Sequence, residues 1–314
     1  MTAESPFPRP LRIGTRGSPL ALWQAHRVAH LLRECDPSLA APDAIEIVEI
    51  TTTGDRVQDR LLSEIGGKGL FAKEIQEAML ADAIDIAVHS MKDVETVLPD
   101  GFVIAAVLER ADPRDAWITI DGQTLDDLPA GARVGTASLR RKSQILARRP
   151  DLQVIPFRGN VGTRLAKLAD GLADATLLAK AGLDRLGMGD KITTALDVDV
   201  MTPAAAQGAI GIEVLSKNAA LAAALAQIQH ADTAITIAAE RALLGALDGS
   251  CRTPIGAYAT LDGAGGLSLI GLLADENGGN VWRTSRTGQV ADAEALGHDA
   301  GAELRAQGDA RLFQ

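Results

Sequence analysis

The chain opens with a short apolar run, Leu11-Arg12-Ile13-Gly14, that reads as a strand. A turn follows at Thr15-Arg16-Gly17, then Ser18 at an N-cap position and Pro19 where a first-turn proline is tolerated. Leu22, Ala25, Ala29 and Leu32 then recur at helical spacing to about Glu34. The alternation continues with a strand over Ile45–Ile50, a helix over Leu70–Leu80, and strands over Ile84–Val88 and Val103–Leu108. Strands alternating with helices predict βαβ units and a largely parallel sheet.

A second set repeats the pattern. Ala116–Ile120, Arg133–Gly135, Val154–Phe157 and Ala175–Ala179 read as strands, and Ser138–Arg148 and Val161–Asp170 as helices. Pro113 within Asp112–Asp115 marks one crossing between the sets, and Pro203 with Gly208 marks another. The last third differs: a long helix over Ala231–Leu247, then strands over Pro254–Leu261, Leu267–Leu273 and Val281–Arg286. Asn277-Gly278-Gly279 makes a turn, and a helix over Asp292–Ala306 follows. This α+β pattern predicts a third, separate domain.

Length and charge narrow the class. At 314 residues, 46% hydrophobic and 23% charged, the chain has material for two or three packed domains. Aromatics are only 3%, so the cores must rest on Leu, Ile, Val and Ala. The net charge of −10 disfavours non-specific binding to nucleic acid or an anionic membrane. The apolar stretch Ala204–Leu215 is too short to span a membrane and contains Gln207 and Glu213. The first residues lack the basic and apolar regions of a secretory signal, so a cytoplasmic location is expected. Cys35 and Cys251 cannot form a disulfide scaffold and read as separate free thiols, Cys35 being structural at a helix end.

Within this acidic chain, cations gather at the C-terminal ends of the expected strands, where open α/β sheets bind ligands. Arg16 follows the first strand, Lys68 lies in Gly66-Gly67-Lys68-Gly69, and Lys92 follows Ile84–Val88. Arg140 and Arg141 open a helix after Gly135-Thr136, Arg158 follows Val154–Phe157, and Arg164 lies a turn further on. A single such arginine is usually a solvated side chain; the set predicts a ligand with several negative groups. The guanidinium fork suits carboxylates, and helix N-termini add N–H donors. Gly66-Gly67-Lys68-Gly69 lacks the spacing of a phosphate loop, and Gly14-Thr15-Arg16-Gly17 is not a dinucleotide fingerprint.

Two residues carry candidate chemistry. Asp93, in His89-Ser90-Met91-Lys92-Asp93, stands just past a buried strand, suited to general acid–base work or to stabilising a cation. Its bland alternative is a capping or salt-bridged aspartate. Cys251 lies among small, turn-forming neighbours beside Arg252, which favours a thiolate; the bland alternative is an inert thiol. His26 and His30 are four apart on a helix, but no third ligand accompanies them, and no metal is expected.

Several segments together resemble the porphobilinogen deaminase (hydroxymethylbilane synthase) family from about Leu11 to Arg311. They are Leu11–Ala21, Gly66–Phe71, His89–Val94, Gly135–Arg141, Arg158–Leu165, Ala239-Glu240-Arg241, and Cys251 with Pro254-Ile255-Gly256. The resemblance implies two α/β domains like type II periplasmic binding proteins with an active-site cleft between them, and a smaller α+β domain. The expected boundaries are 1–110 with 207–226, 111–206, and 227–314. It also implies a monomer whose Cys251 carries dipyrromethane through a thioether. Four porphobilinogen units are added in turn, each losing ammonia, and hydrolysis frees hydroxymethylbilane. Asp93 matches the catalytic carboxylate. Lys92, Ser138, Arg140, Arg141 and Arg164 match cofactor-binding positions. Arg16, Ser18, Lys68, Phe71, Arg158, Arg185 and Gln207 match substrate-binding ones. Two departures stand out: Glu95-Thr96 where the family commonly has proline, and Ala206-Gln207-Gly208 in place of Gly-Gln-Gly, expected to tighten a hinge. The competing classes are a solute receptor and a phosphate-handling transferase. The third domain opposes the first, and the missing phosphate loops oppose the second.

Overall fold

Leu11 and Ile13 are fully buried in β1 (Leu11–Thr15), and the helix after it starts where its cap dictates. In the computed structural model, which describes residues 7–8, 10–56, 72–248, 253–309 and 312, Ser18 Oγ accepts from Ala21 N at 3.3 Å. Helix α1 (Pro19–Cys35) buries Ala25, Val28, Ala29 and Leu32 on one stripe and leaves His26, His30 and Cys35 exposed. The chain continues through β2 (Ile45–Glu49), α2 (Thr53–Arg56), α3 (Lys73–Leu80), β3 (Ile86–Ser90) and β4 (Phe102–Val107). The next set is β5 (Asp115–Thr119), β6 (Arg133–Gly135), α4 (Leu139–Arg148), β7 (Gln153–Ile155), α5 (Val161–Ala169), β8 (Ala175–Ala179), α6 (Lys180–Arg185) and β9 (Thr194–Ala195). Then come β10 (Ile210–Leu215), α7 (Ala219–Leu225), α8 (Ala231–Ala246), the strands β11 (Ile255–Leu261), β12 (Gly266–Ala274) and β13 (Val281–Gln289), and α9 (Ala293–Gln307).

These elements form two compact units. The described part of one comprises 7–8, 10–56, 72–110 and 209–234; that of the other comprises 111–208, 235–248, 253–309 and 312. The first unit holds one sheet, ordered β2-β1-β3-β10-β4, packed against α1 and α7 through Val28, Leu32, Ile212, Val214 and Leu225. The second holds a sheet ordered β7-β6-β8-β5-β9 and a separate meander, β11-β12-β13. The two five-stranded sheets thus share one order, in which a strand distant in sequence slots in beside the third. This is a mixed α/β architecture with a smaller C-terminal sheet and helix region.

Neither five-stranded sheet is as parallel as the alternating pattern predicts. β10 runs antiparallel to β3 and β4, and β5 antiparallel to β8 and β9. The period of a strand buried on both faces is the same in either direction, so apolar patterning does not reveal its sense. All six residues of β10 are buried, and the run that is too short for a membrane is a central strand. The third strand also lies two residues later than expected, with Ile84 buried just before it.

In the C-terminal region, α8 and α9 cover one face of the meander through Leu243, Leu269, Leu273, Ala300 and Leu304. The β12–β13 turn reaches α4. Gly278, at φ 72°, lies so close that a Cβ there would sit 2.3 Å from the carbonyl oxygen of Ser143. Lys142 Nζ donates to Glu276 at 2.7 Å beside it.

Candidate active site

In the first unit, β3 ends in a single tight turn, Met91–Asp93. Met91 and Val94 are both buried, Met91 N donates to Ala209 O at 3.0 Å, and Val94 N donates to Met91 O at 3.3 Å. With both ends of the turn pinned inward, the two residues between them face out: Lys92 is half-buried and Asp93 exposed. No described residue hydrogen-bonds or pairs with the Asp93 carboxylate. After it the chain leaves in extended conformation at Val94. The end of the strand is stiffened from behind. His89 Nε2 lies 2.9 Å from Glu213 Oε2, Gln76 Nε2 donates to Glu213 Oε1 at 2.8 Å, and Gln24 Nε2 donates to Ser90 Oγ at 2.8 Å. Glu213 is wholly buried, so these donors are what make a carboxylate tolerable there.

Arg16 lies between β1 and the Ser18 cap. Its Nε donates to Asp55 Oδ1 at 3.1 Å, and its Nη2 also donates to that carboxylate. Asp55 takes a further bond from Thr52 Oγ1 at 2.7 Å. Burial opposes ionisation of Asp55, but the Arg16 and Thr52 donors outweigh it and hold the carboxyl below its usual range.

In the second unit the corresponding turn follows β6. Ser138 caps α4, its Oγ accepting from Arg141 N at 3.4 Å. Arg140 and Arg141 point into the protein, not away from it, and share the fully buried Asp115 at the head of β5. Arg140 Nη1 donates to Asp115 Oδ2 and to Thr202 O, both at 2.7 Å. Arg141 donates to Asp115 Oδ1 from Nη2 at 2.6 Å and from Nε at 3.1 Å, and to Leu177 O from Nη1 at 2.9 Å. Burial alone would raise the Asp115 carboxyl; the two guanidiniums hold it well below the carboxylate range. Burial lowers Arg140, with the Asp115 charge acting against it.

Gln207 is also buried, and its Nε2 donates to Pro113 O at 2.7 Å and to Asp115 Oδ1 at 3.0 Å. It follows Ala206, which occupies the left-handed region at φ 59°. Ala206 N donates to Glu240 Oε2 at 2.6 Å, and Glu240 Oε1 accepts from Ala259 N at 2.8 Å. Arg185 Nη2 donates to Gly208 O at 2.6 Å, and burial pushes Arg185 down to about 10. Arg158 and Arg164 are half-buried, with Arg164 Nε on Gly159 O at 2.8 Å and Lys167 Nζ on Arg158 O at 2.9 Å. Lys68, Phe71 and Cys251 lie outside the described residues.

Two family models match this chain: the dipyromethane cofactor binding domain of porphobilinogen deaminase over residues 11–223, and that enzyme's C-terminal domain over 234–306. The chain belongs to the porphobilinogen deaminase family. It is 52% identical over 306 residues to the chloroplastic porphobilinogen deaminase of Oryza sativa subsp. japonica, which covers 96% of this chain and 85% of that one. It is 52% identical over 304 residues to the porphobilinogen deaminase of Paracoccus denitrificans (strain Pd 1222), covering 97% and 96%. Among solved structures, the periplasmic aliphatic sulphonate binding protein SsuA of Escherichia coli aligns at 16% identity and TM-score 0.40, covering 77% of this chain and 71% of that one.

As a member of the porphobilinogen deaminase family the chain is an enzyme, with dipyrromethane as its cofactor. The side chains here fit such an acid-bearing group: Arg140 spends only Nη1 on the framework, and no described residue takes its Nε or Nη2. Four buried polar residues of this architecture, Asp115, Glu213, Glu240 and Gln76, do not stand out as candidates in the sequence. Asp115, Glu213 and Glu240 sit beside or within apolar runs, where a charge demands a buried partner, and Gln76 is one such partner, of Glu213. Among the described residues no cluster of His, Cys, Asp or Glu has metal-binding geometry. No helix among them is long and apolar enough to cross a membrane.

Proposed function

We propose that this chain joins four porphobilinogen molecules head to tail on a dipyrromethane held by Cys251, releases ammonia at each addition, and frees hydroxymethylbilane by hydrolysis. The observation that carries this reading is Asp93, an exposed carboxylate without a described partner, presented beside Lys92 by a turn anchored at both ends. When bound, dipyrromethane supplies the pyrrole end to which the first incoming unit is joined. The Asp93 carboxylate hydrogen-bonds the pyrrole N–H of the reacting unit. It stabilises the positive charge that develops there and moves protons to the departing amine and from the newly bonded carbon.

Lys92, Ser138, Arg140, Arg141 and Arg164 make up the site for the cofactor's carboxylates, whether by direct contact or by holding a neighbour in place. Arg16, Ser18, Arg158, Arg185 and Gln207, with Lys68 and Phe71, serve the incoming substrate. Charge-assisted bonds from guanidinium groups explain why an acidic protein binds acidic pyrroles. The reading includes three domains, with boundaries at 1–110 with 207–226, 111–206 and 227–314, acting as a cytoplasmic monomer without nucleic-acid or membrane partners.

Intact mass of the purified chain tests the proposal. The expected spectrum carries the mass of two linked pyrrole rings, and Cys251→Ala removes it together with turnover. An unmodified chain with full turnover of porphobilinogen overturns it.

A further inference from the structure

The geometry assigns Asp115 as a positioning residue that aims Arg140 at an acidic ligand and divides the labour of the adjacent arginines: Arg140 is the ligand arm and Arg141 the scaffold arm. This inference rests on the function proposed above.

The division follows from which nitrogens are spent. Arg141 uses all three on the framework, two on Asp115 Oδ1 and one on Leu177 O. Arg140 uses only Nη1, on Asp115 Oδ2 and Thr202 O. Its Nε and Nη2 have no partner among the described residues, and neither is a fully enclosed orphan. The one edge of the buried pair left to meet a carboxylate therefore belongs to Arg140. Two guanidiniums face one carboxylate, which leaves one positive charge for the ligand.

Asp115 is itself held. Gln207 Nε2 donates to Asp115 Oδ1, and the left-handed Ala206, tied to Glu240, sets where Gln207 begins. The Arg140 end of α4 is fixed from the other side. Gln144 Nε2 donates to the carbonyl oxygens of Arg140 and Thr202, both at 3.1 Å, and Gln144 Oε1 accepts from Thr202 N at 2.8 Å. A guanidinium desolvated and oriented before the ligand arrives binds without reorganisation, the condition under which such groups act most strongly.

The test compares four variants of the full-length enzyme with the wild type: Arg140→Gln, Arg141→Gln, Asp115→Glu and Gln207→Met. Each is read by intact mass for the pyrrole adduct, by Tm, and by the separate kcat and KM for porphobilinogen. Asp115→Glu keeps the charge but shifts the carboxylate by one methylene, and Gln207→Met keeps every charge and removes the amide that donates to Asp115 Oδ1 and Pro113 O. Both should remain folded, with KM raised about ten-fold and kcat within about two-fold. Arg140→Gln should lose adduct or raise KM with little change in Tm, whereas Arg141→Gln should lower Tm first.

The reverse assignment of the two arginines overturns the inference. So does a wild-type KM in folded Asp115→Glu and Gln207→Met. If the wild type itself carries no adduct and does not turn over porphobilinogen, the proposed function fails and this inference falls with it. A working wild type with unaffected variants defeats the inference alone.

Discussion

The turn after β1 and the turn after β6 stand at the same place in two sheets of one strand order, and each ends in a serine cap. Their arginines are nevertheless held in opposite ways. Arg16 precedes its cap and pairs with Asp55 where both side chains remain about a quarter exposed, at 27% and 26%. Arg141 follows its cap, lies against the sheet, and pairs with Asp115 at 6% and 0%. A pair still partly open to solvent is worth about 0–1 kcal/mol and opens more readily to a competing carboxylate. A buried pair is costly to disrupt and keeps its geometry whether or not a ligand is present. Topology alone therefore does not tell whether a strand-end arginine is a movable contact or a fixed one; the burial of its carboxylate partner does.

The sharpest way to break this contrast is to remove each carboxylate. Asp115→Asn leaves two buried guanidiniums uncompensated and should cost about 3–5 kcal/mol of stability. Asp55→Asn should cost less than about 1 kcal/mol. Urea denaturation measures both, and equal losses would erase the distinction.

A second contrast sets stability against chemistry. Asp93→Asn should lower kcat by at least about 100-fold while moving stability by no more than about 0.5 kcal/mol, because the side chain is exposed and has no described partner. Near-normal turnover would remove Asp93 from the reaction.

Acid sharpens the comparison further. The folded-state value of Asp115 lies below the ordinary 3.8, so its contribution is complete above that pH and is lost as pH falls through the depressed value. Denaturation midpoints taken downward from pH 5 should fall more steeply in the wild type than in Asp115→Asn. Parallel curves would show that the Asp115 cluster does not govern the acid limb.

The smallest effect concerns Ala206. A non-glycine residue in the left-handed region costs about 1–2 kcal/mol, partly offset by the greater freedom glycine has when unfolded. Ala206→Gly should raise stability by about 0.5–1 kcal/mol in thermal or urea melts, and a loss would mean that the Ala206 methyl contributes packing.

Local signals in the sequence mark most elements well. Ser18-Pro19 and Ser138 mark helix starts that the structure reproduces, because a cap is a contact between neighbours in the chain. Strand direction in β5 and β10 was not readable, since it depends on pairing with strands far away in sequence. Asp93, Lys92 and the arginines stand out as chemistry-bearing side chains next to strands. Asp115 does not, because it starts an apolar strand one residue before the run that the pattern picks out. Nor does the sequence show that Arg16 and Arg141 differ in burial, as both simply follow a short strand and a turn.

Cys35 ends α1 as an exposed free thiol. Maleimide titration of the native protein therefore counts this sulfur whatever the state of Cys251. A second equivalent after denaturation would report an uncapped Cys251, and its absence a blocked one. Any fluorophore intended for the other cysteine will also label this helix end.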